Sequence, residues 1–126
     1  MSALNEARLH LEKAREFLDA AQGSLDREQF NAATSNAVIS GINSKDAICL
    51  RLTGATRNSD GHNEAIAELK AAGPAGAKLA PTLSRLLKLK TKSQYQSVSV
   101  AASDARKAVE WAVRLLEGAE EVVAAR

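Results

Sequence analysis

Leu4, Ala7, Leu11, Ala14, Leu18 and Ala21 recur at alternating intervals of three and four residues. That spacing puts all six on one stripe of a helix over about residues 3–22, with Glu6, Lys13 and Asp19 turned away. Gly23 reads as the stop, and Ser24 to Arg27 as the turn. A second helix is predicted over about residues 28–52, with Phe30, Ala33, Ala37, Ile42 and Cys49 as apolar groups. Asn36, Asn43 and Asp46 interrupt it; they either pair across the bundle or face a second subunit, because buried polar groups need partners. Gly54 ends this helix, and a polar loop follows to Gly61. A short third helix, about residues 63–72, has Ala65, Ile66 and Leu69 as its apolar face. The cluster Ala72-Gly73-Pro74-Ala75-Gly76 breaks it. A fourth helix is predicted over about residues 78–93, with Pro81 in its first turn. Ser97-Val98-Ser99 reads as a bend with Ser99 as N-cap. A last helix, about residues 100–124, turns Ala101, Ala108, Trp111, Leu115 and Val122 inward. No strand pattern and no repeat interrupts this series. Short connections between long helices imply antiparallel neighbours, hence an all-α, antiparallel up-and-down bundle of about five helices in a single domain, residues 1–126.

Composition agrees with that reading. A chain of 126 residues with 45% hydrophobic and 25% charged side chains has the balance of a globular domain. It is long enough to bury roughly two-thirds of its unfolded surface. Aromatic residues are 3% of the chain, namely Phe17, Phe30, Tyr95 and Trp111, so the core is built from Ala, Leu, Ile and Val. The single cysteine, Cys49, lies in the apolar run Ala47-Ile48-Cys49-Leu50 and is expected to be a buried small hydrophobe. The first residues carry no secretion signal, and no stretch has the length of a membrane span. A reducing cytoplasm is the expected setting.

Candidate chemistry is sparse. Two histidines, His10 and His62, and one cysteine offer no metal-binding spacing, and no cofactor motif is present. His10 reads as a surface or half-packed residue. The string Arg57-Asn58-Ser59-Asp60-Gly61-His62 could hold a phosphate on Arg57 and exchange a proton at His62, which is what RNA cleavage requires. The structural alternative is a loop that opens the third helix, with His62 or Asn63 as cap and Gly61 in a strained conformation. The fourth helix carries Arg85, Lys88 and Lys92 at helical spacing, with Lys90 nearby. No acidic residue lies between Lys78 and Asp104. Such a face, next to Gln94 and Tyr95, can track a phosphate backbone or serve as a solvated surface. The net charge of +2 does not itself imply nucleic acid.

The order of these features resembles the HEPN family, compact bundles of four or five helices found in prokaryotic toxins, antiviral ribonucleases and partners of minimal nucleotidyltransferases. The opening from Leu9 through Ala14 to Ala21 is similar to the family's first helix. Asn31-Ala32-Ala33 is similar to the start of its second, and Asp46 to Leu50 followed by Gly54 to that helix's end. His62 stands where many members place a histidine. Leu86-Leu87-Lys88-Leu89-Lys90-Thr91-Lys92-Ser93-Gln94-Tyr95 resembles a further family segment, as does the Ala-rich last helix. The resemblance implies a homodimer, or association with an antitoxin or nucleotidyltransferase partner, and action on RNA or nucleotide. Catalytic members carry an Arg-x4–6-His motif where this chain has Lys90 and Tyr95. The resemblance therefore implies binding without cleavage at the usual site, unless Arg57 and His62 replace it.

Overall fold

The computed structural model describes residues 1–57, 61–94 and 99–125, with backbone alone at residues 92–94. Five helices follow one another in these residues: α1 (Ala3–Asp26), α2 (Phe30–Thr53), α3 (His62–Ala71), α4 (Pro74–Gln94) and α5 (Ala102–Ala124). No strand occurs among the described residues. In α1 the three-four spacing buries Ala7, Leu11, Ala14, Leu18 and Ala21, while Leu4 at the outer end stays exposed. The helix continues past Gly23 to Asp26. The chain reverses instead at Glu28, which adopts a positive φ of 58°, and the Gln29 N–H donates to the Ser24 carbonyl at 2.8 Å.

The second helix lacks a single stripe because of its place in the bundle. It touches all four other helices, whereas α1 and α4 do not meet among the described residues. Its buried positions therefore run round most of its circumference and include Thr34, Ser40, Ser44, Lys45 and Asp46. The interrupting polar residues Asn43 and Asp46 find partners within this one chain. The Ser40 hydroxyl donates to the Ala14 carbonyl at 2.7 Å, and Asn43 Oδ1 lies 2.8 Å from His10 Nδ1. Gly54 ends α2 in the left-handed conformation, at a φ of 81° that L side chains rarely adopt.

Two helix starts differ from the sequence expectation. α4 opens at Pro74, whose missing N–H falls in the first turn, and the Ala77 N–H closes that turn on the Gly73 carbonyl at 2.9 Å. Pro81 thus lies inside the helix on its exposed side, where water can meet the carbonyl left without its donor. Gly76 lets α4 cross α3 closely: a Cβ there would collide with the Leu69 carbonyl oxygen. α5 begins at Ala102 with Ala101, not Ser99, as N-cap. The approach is fixed by tertiary contacts, since Asn31 Oδ1 accepts the Val100 N–H at 2.8 Å and Val100 packs with Ala33 and Ala105. The inner face of α5 is Ala105, Ala108, Val109, Ala112, Leu115, Leu116, Ala119 and Val123. Trp111 and Val122 are half-buried at its border, and Ala101 is exposed. The face is wider than a single stripe because α5 packs against α1, α2 and α4 together.

α1 and α2 run antiparallel, with Ser40 against Ala14 and Asn43 against His10. α2 and α5 run parallel: Asn31 meets Val100 where they start, and Arg51 Nη2 donates to the Ala125 carbonyl at 2.6 Å where they end.

Candidate nucleic-acid interface

The outward face of α4 is basic. Ala80, Leu83, Leu86 and Leu87 are buried and fix the rotation of the helix, which leaves Lys78, Arg85 and Lys88 exposed. At about 100° per residue, Lys92 continues the same stripe, giving a row about 21 Å long from 78 to 92. The Lys92 side chain and all of Tyr95 lie outside the described residues. Lys90 does not share this row. It stands about 140° round the helix from Arg85, half-buried, on the flank that meets α3.

On that flank Lys90 approaches His62. Gly61 is the N-cap of α3 in an ordinary extended conformation (φ −80°, ψ 126°), without the strain expected of it. His62 is the first helical residue and not the cap. Burial and then the charge of Lys90 hold its imidazole below the usual histidine range, so it is neutral at pH 7.

Arg57 takes the other side. Its side chain is 83% exposed and its Nε lies 3.8 Å from Glu68 Oε2. Positions 62 and 68 are six apart on α3, about 120° round the helix, so the contact of Arg57 and that of His62 lie on different flanks. A groove of about 530 Å³ runs along the Arg57 flank, lined by Thr53, Arg57, Glu64, Ala67 and Glu68 among others.

Behind Arg57 is a buried ionic cluster that sequence reasoning missed. Lys45 is 3% exposed at its side chain and forms ion pairs with Asp46, at 3.1 Å, and with Glu68. Its ammonium also donates to the Thr56 hydroxyl at 3.1 Å and the Arg57 carbonyl at 3.4 Å. The Thr56 hydroxyl donates to Asp46 Oδ1 at 2.6 Å, and the Arg57 N–H donates to Glu68 Oε2 at 3.0 Å. Burial alone would lower the Lys45 pKa, but the hydrogen bond to Glu68 and the charge of Asp46 outweigh it and hold the ammonium above its ordinary range. Burial would likewise raise Glu68, but the Lys45 hydrogen bond and the Arg57 amide prevail and hold it low. The only hint in the sequence is a Lys-Asp pair, Lys45-Asp46, set directly before the apolar run Ala47 to Leu50.

His10 borders the same cluster. The Asn43 amide nitrogen donates to the Ile39 carbonyl at 3.0 Å, which points its oxygen at His10. His10 Nδ1 is therefore the donor to Asn43 Oδ1, and that nitrogen lies 3.9 Å from Asp46 Oδ2. Cys49, fully buried nearby, has its thiol pushed up to about 12 by burial and is no nucleophile at neutral pH. Among the described residues no group of His, Cys, Asp and Glu could hold a metal ion, and no helix is long and apolar enough to cross a membrane.

Compared with known families, residues 7–122 match the family model of the HEPN domain, nearly the whole length of the chain. No curated protein matches it.

Proposed function

Because this chain belongs to the HEPN domain family, we propose that it is a dimeric module of a toxin–antitoxin or nucleotidyltransferase-linked system that binds RNA or nucleotide without cleaving it. The observation that carries the binding is the exposed row Lys78, Arg85 and Lys88 on α4, continued in register by Lys92. A row of cations with no interleaved carboxylate suits a phosphate backbone and reads no bases, so binding is salt-dependent and tolerant of sequence. Lys90 and His62 flank it on the side of α3, with Tyr95 next in sequence.

The chemistry of the candidate groups supports binding without cleavage. Metal-independent cleavage needs a cation at the phosphate and a proton-exchanging group acting on the same ribose. Arg57 and His62 face different flanks of α3. Lysine and tyrosine, the residue types at positions 90 and 95, are a poor acid–base couple for chemistry at pH 7.

The test is fluorescence anisotropy with a structured RNA, alongside single-turnover cleavage of the same RNA in EDTA. Salt-dependent binding without product formation is expected. Cleavage that His62→Ala abolishes would establish a ribonuclease instead, and no binding at low salt would leave an interaction bundle. Light scattering giving the 13.3 kDa of one chain at tens of micromolar would remove the dimer.

A further inference from the structure

We infer that Lys45, Asp46 and Glu68 form an internal mount that fixes the backbone of Arg57 and presents its guanidinium as a phosphate contact additional to the α4 row, on the flank of α3 away from His62. The inference rests on the RNA-binding reading above and adds to it a site and its positioning residues.

Three features of the geometry lead there. Both main-chain polar groups of Arg57 end on ionic side chains, the N–H on the half-buried Glu68 and the carbonyl on the buried Lys45. The preceding residue is held in the same way, since the Thr56 hydroxyl is locked between Lys45 and Asp46. The side chain that this arrangement carries is left 83% exposed. A connection needed only to join α2 to α3 has no use for a buried ammonium and two carboxylates, whose desolvation is costly. Rigid placement of one exposed cation is what such a cluster achieves, because a donor fixed beforehand loses less freedom on meeting a phosphate. Arginine suits that role through its bidentate fork.

Glu68 has three duties with one carboxylate. Oε1 takes the Lys45 ammonium, and Oε2 takes the Arg57 amide and lies 3.8 Å from the Arg57 Nε. Glutamine at this position offers one oxygen and turns an NH2 group towards the other donor, so Glu68→Gln breaks one half of the mount while keeping the shape. The signs of two effects then oppose each other. Removing a negative charge beside a phosphate-binding face should tighten RNA binding by electrostatics alone. Loss of the mount should weaken it.

The experiment is a double-mutant cycle on RNA affinity with Arg57→Ala and Glu68→Gln, read together with amide hydrogen exchange of the full-length protein. Arg57→Ala should weaken binding about five-fold, as expected for one phosphate contact. Glu68→Gln should weaken it by a similar factor, with no further loss in the double variant, and should speed exchange of the Arg57 N–H. Should Glu68→Gln fail to fold, Thr56→Val removes the hydroxyl link and enters the same cycle with the same expected result. Tighter or unchanged binding by Glu68→Gln, a loss that persists in the Arg57→Ala background, or a rapidly exchanging Arg57 N–H in the wild type would each overturn the mount. If Lys88→Ala weakens binding while Arg57→Ala does not, the inference falls and the RNA reading stands. If neither weakens it, both fall.

Discussion

Lys45 of α2 and Glu68 of α3 form an ion pair in the interior, with the Lys45 side chain 3% exposed, and it joins the short helix α3 to the centre of the bundle. α3 has two buried residues of its own, Ala65 and Leu69, so its position relative to α2 depends heavily on this pair. Lys45→Met leaves Glu68 and Asp46 without their cation. It should lower unfolding stability by about 3 kcal/mol, the cost of an unpaired buried charge. Lys45→Met combined with Glu68→Leu should recover part of that loss, because an apolar pair of similar volume needs no desolvation. Urea unfolding of the three proteins measures both effects.

The same pair sets a pH window. Glu68 is held below its ordinary value of 4.5, so its contribution is complete above that pH and is lost as the pH falls through the lower folded-state value. Lys45 is held above 10.5, so its contribution is complete below that pH and is lost on further alkalinisation. The difference in melting temperature between wild type and Glu68→Gln should be constant from about pH 5 to 10 and shrink below about 4.5. A scan of melting temperature against pH for both proteins shows this directly.

The α4 row predicts a graded effect on RNA. Arg85→Ala and Lys88→Ala should each weaken binding at low salt and reduce the slope of log affinity against log salt by about one. Arg15→Ala is a control of the same charge change: Arg15 lies on α1 and pairs with Glu120. It should leave the slope unchanged. Titrations at several salt concentrations separate the three.

His62 should titrate below the ordinary histidine value of 6.5, because burial and the Lys90 charge both oppose protonation. Lys90→Gln removes the second cause and should raise the midpoint part of the way back. Phosphate bound beside His62 should also raise it, so RNA affinity should increase as the pH falls towards the free protein's lowered midpoint in wild type and not in His62→Gln. Histidine proton shifts across a pH series, with and without RNA, give both results.

Gly76→Ala probes the crossing of α3 and α4. The added methyl group would meet the Leu69 carbonyl, a backbone atom that cannot rotate away. A loss of about 1–3 kcal/mol is expected, in the range of overpacking elsewhere. Thermal unfolding measures it.

Helix number and order were legible in the sequence because each helix carries an apolar face or a recognised end. The stripe of α1, the cap at Gly54 and the break at Gly73-Pro74 are local signals, set by helical period and backbone sterics. Arg85 and Lys88 could be placed on an outward face for the same reason: the leucines beside them fix which way the helix turns. Where two local signals competed, the sequence was ambiguous. Gly23 and Pro81 both look like boundaries, yet each sits inside a helix held by packing along its length.

What tertiary structure alone decided is which residues from distant segments meet. That α2 lies at the centre follows from packing against four helices at once, and it explains why Lys45 and Asp46 are interior despite their charge. Nothing local in Lys45 names Glu68 as its partner, because an ion pair between helices depends on their crossing and not on spacing along the chain. The same holds for Arg57 and His62. Their sequence spacing puts them together, whereas α3 places Glu68 beside the one and Lys90 beside the other. The period of a helix is a property of the backbone and can be read from the chain; the neighbours of a side chain depend on how helices cross, and only the fold determines that.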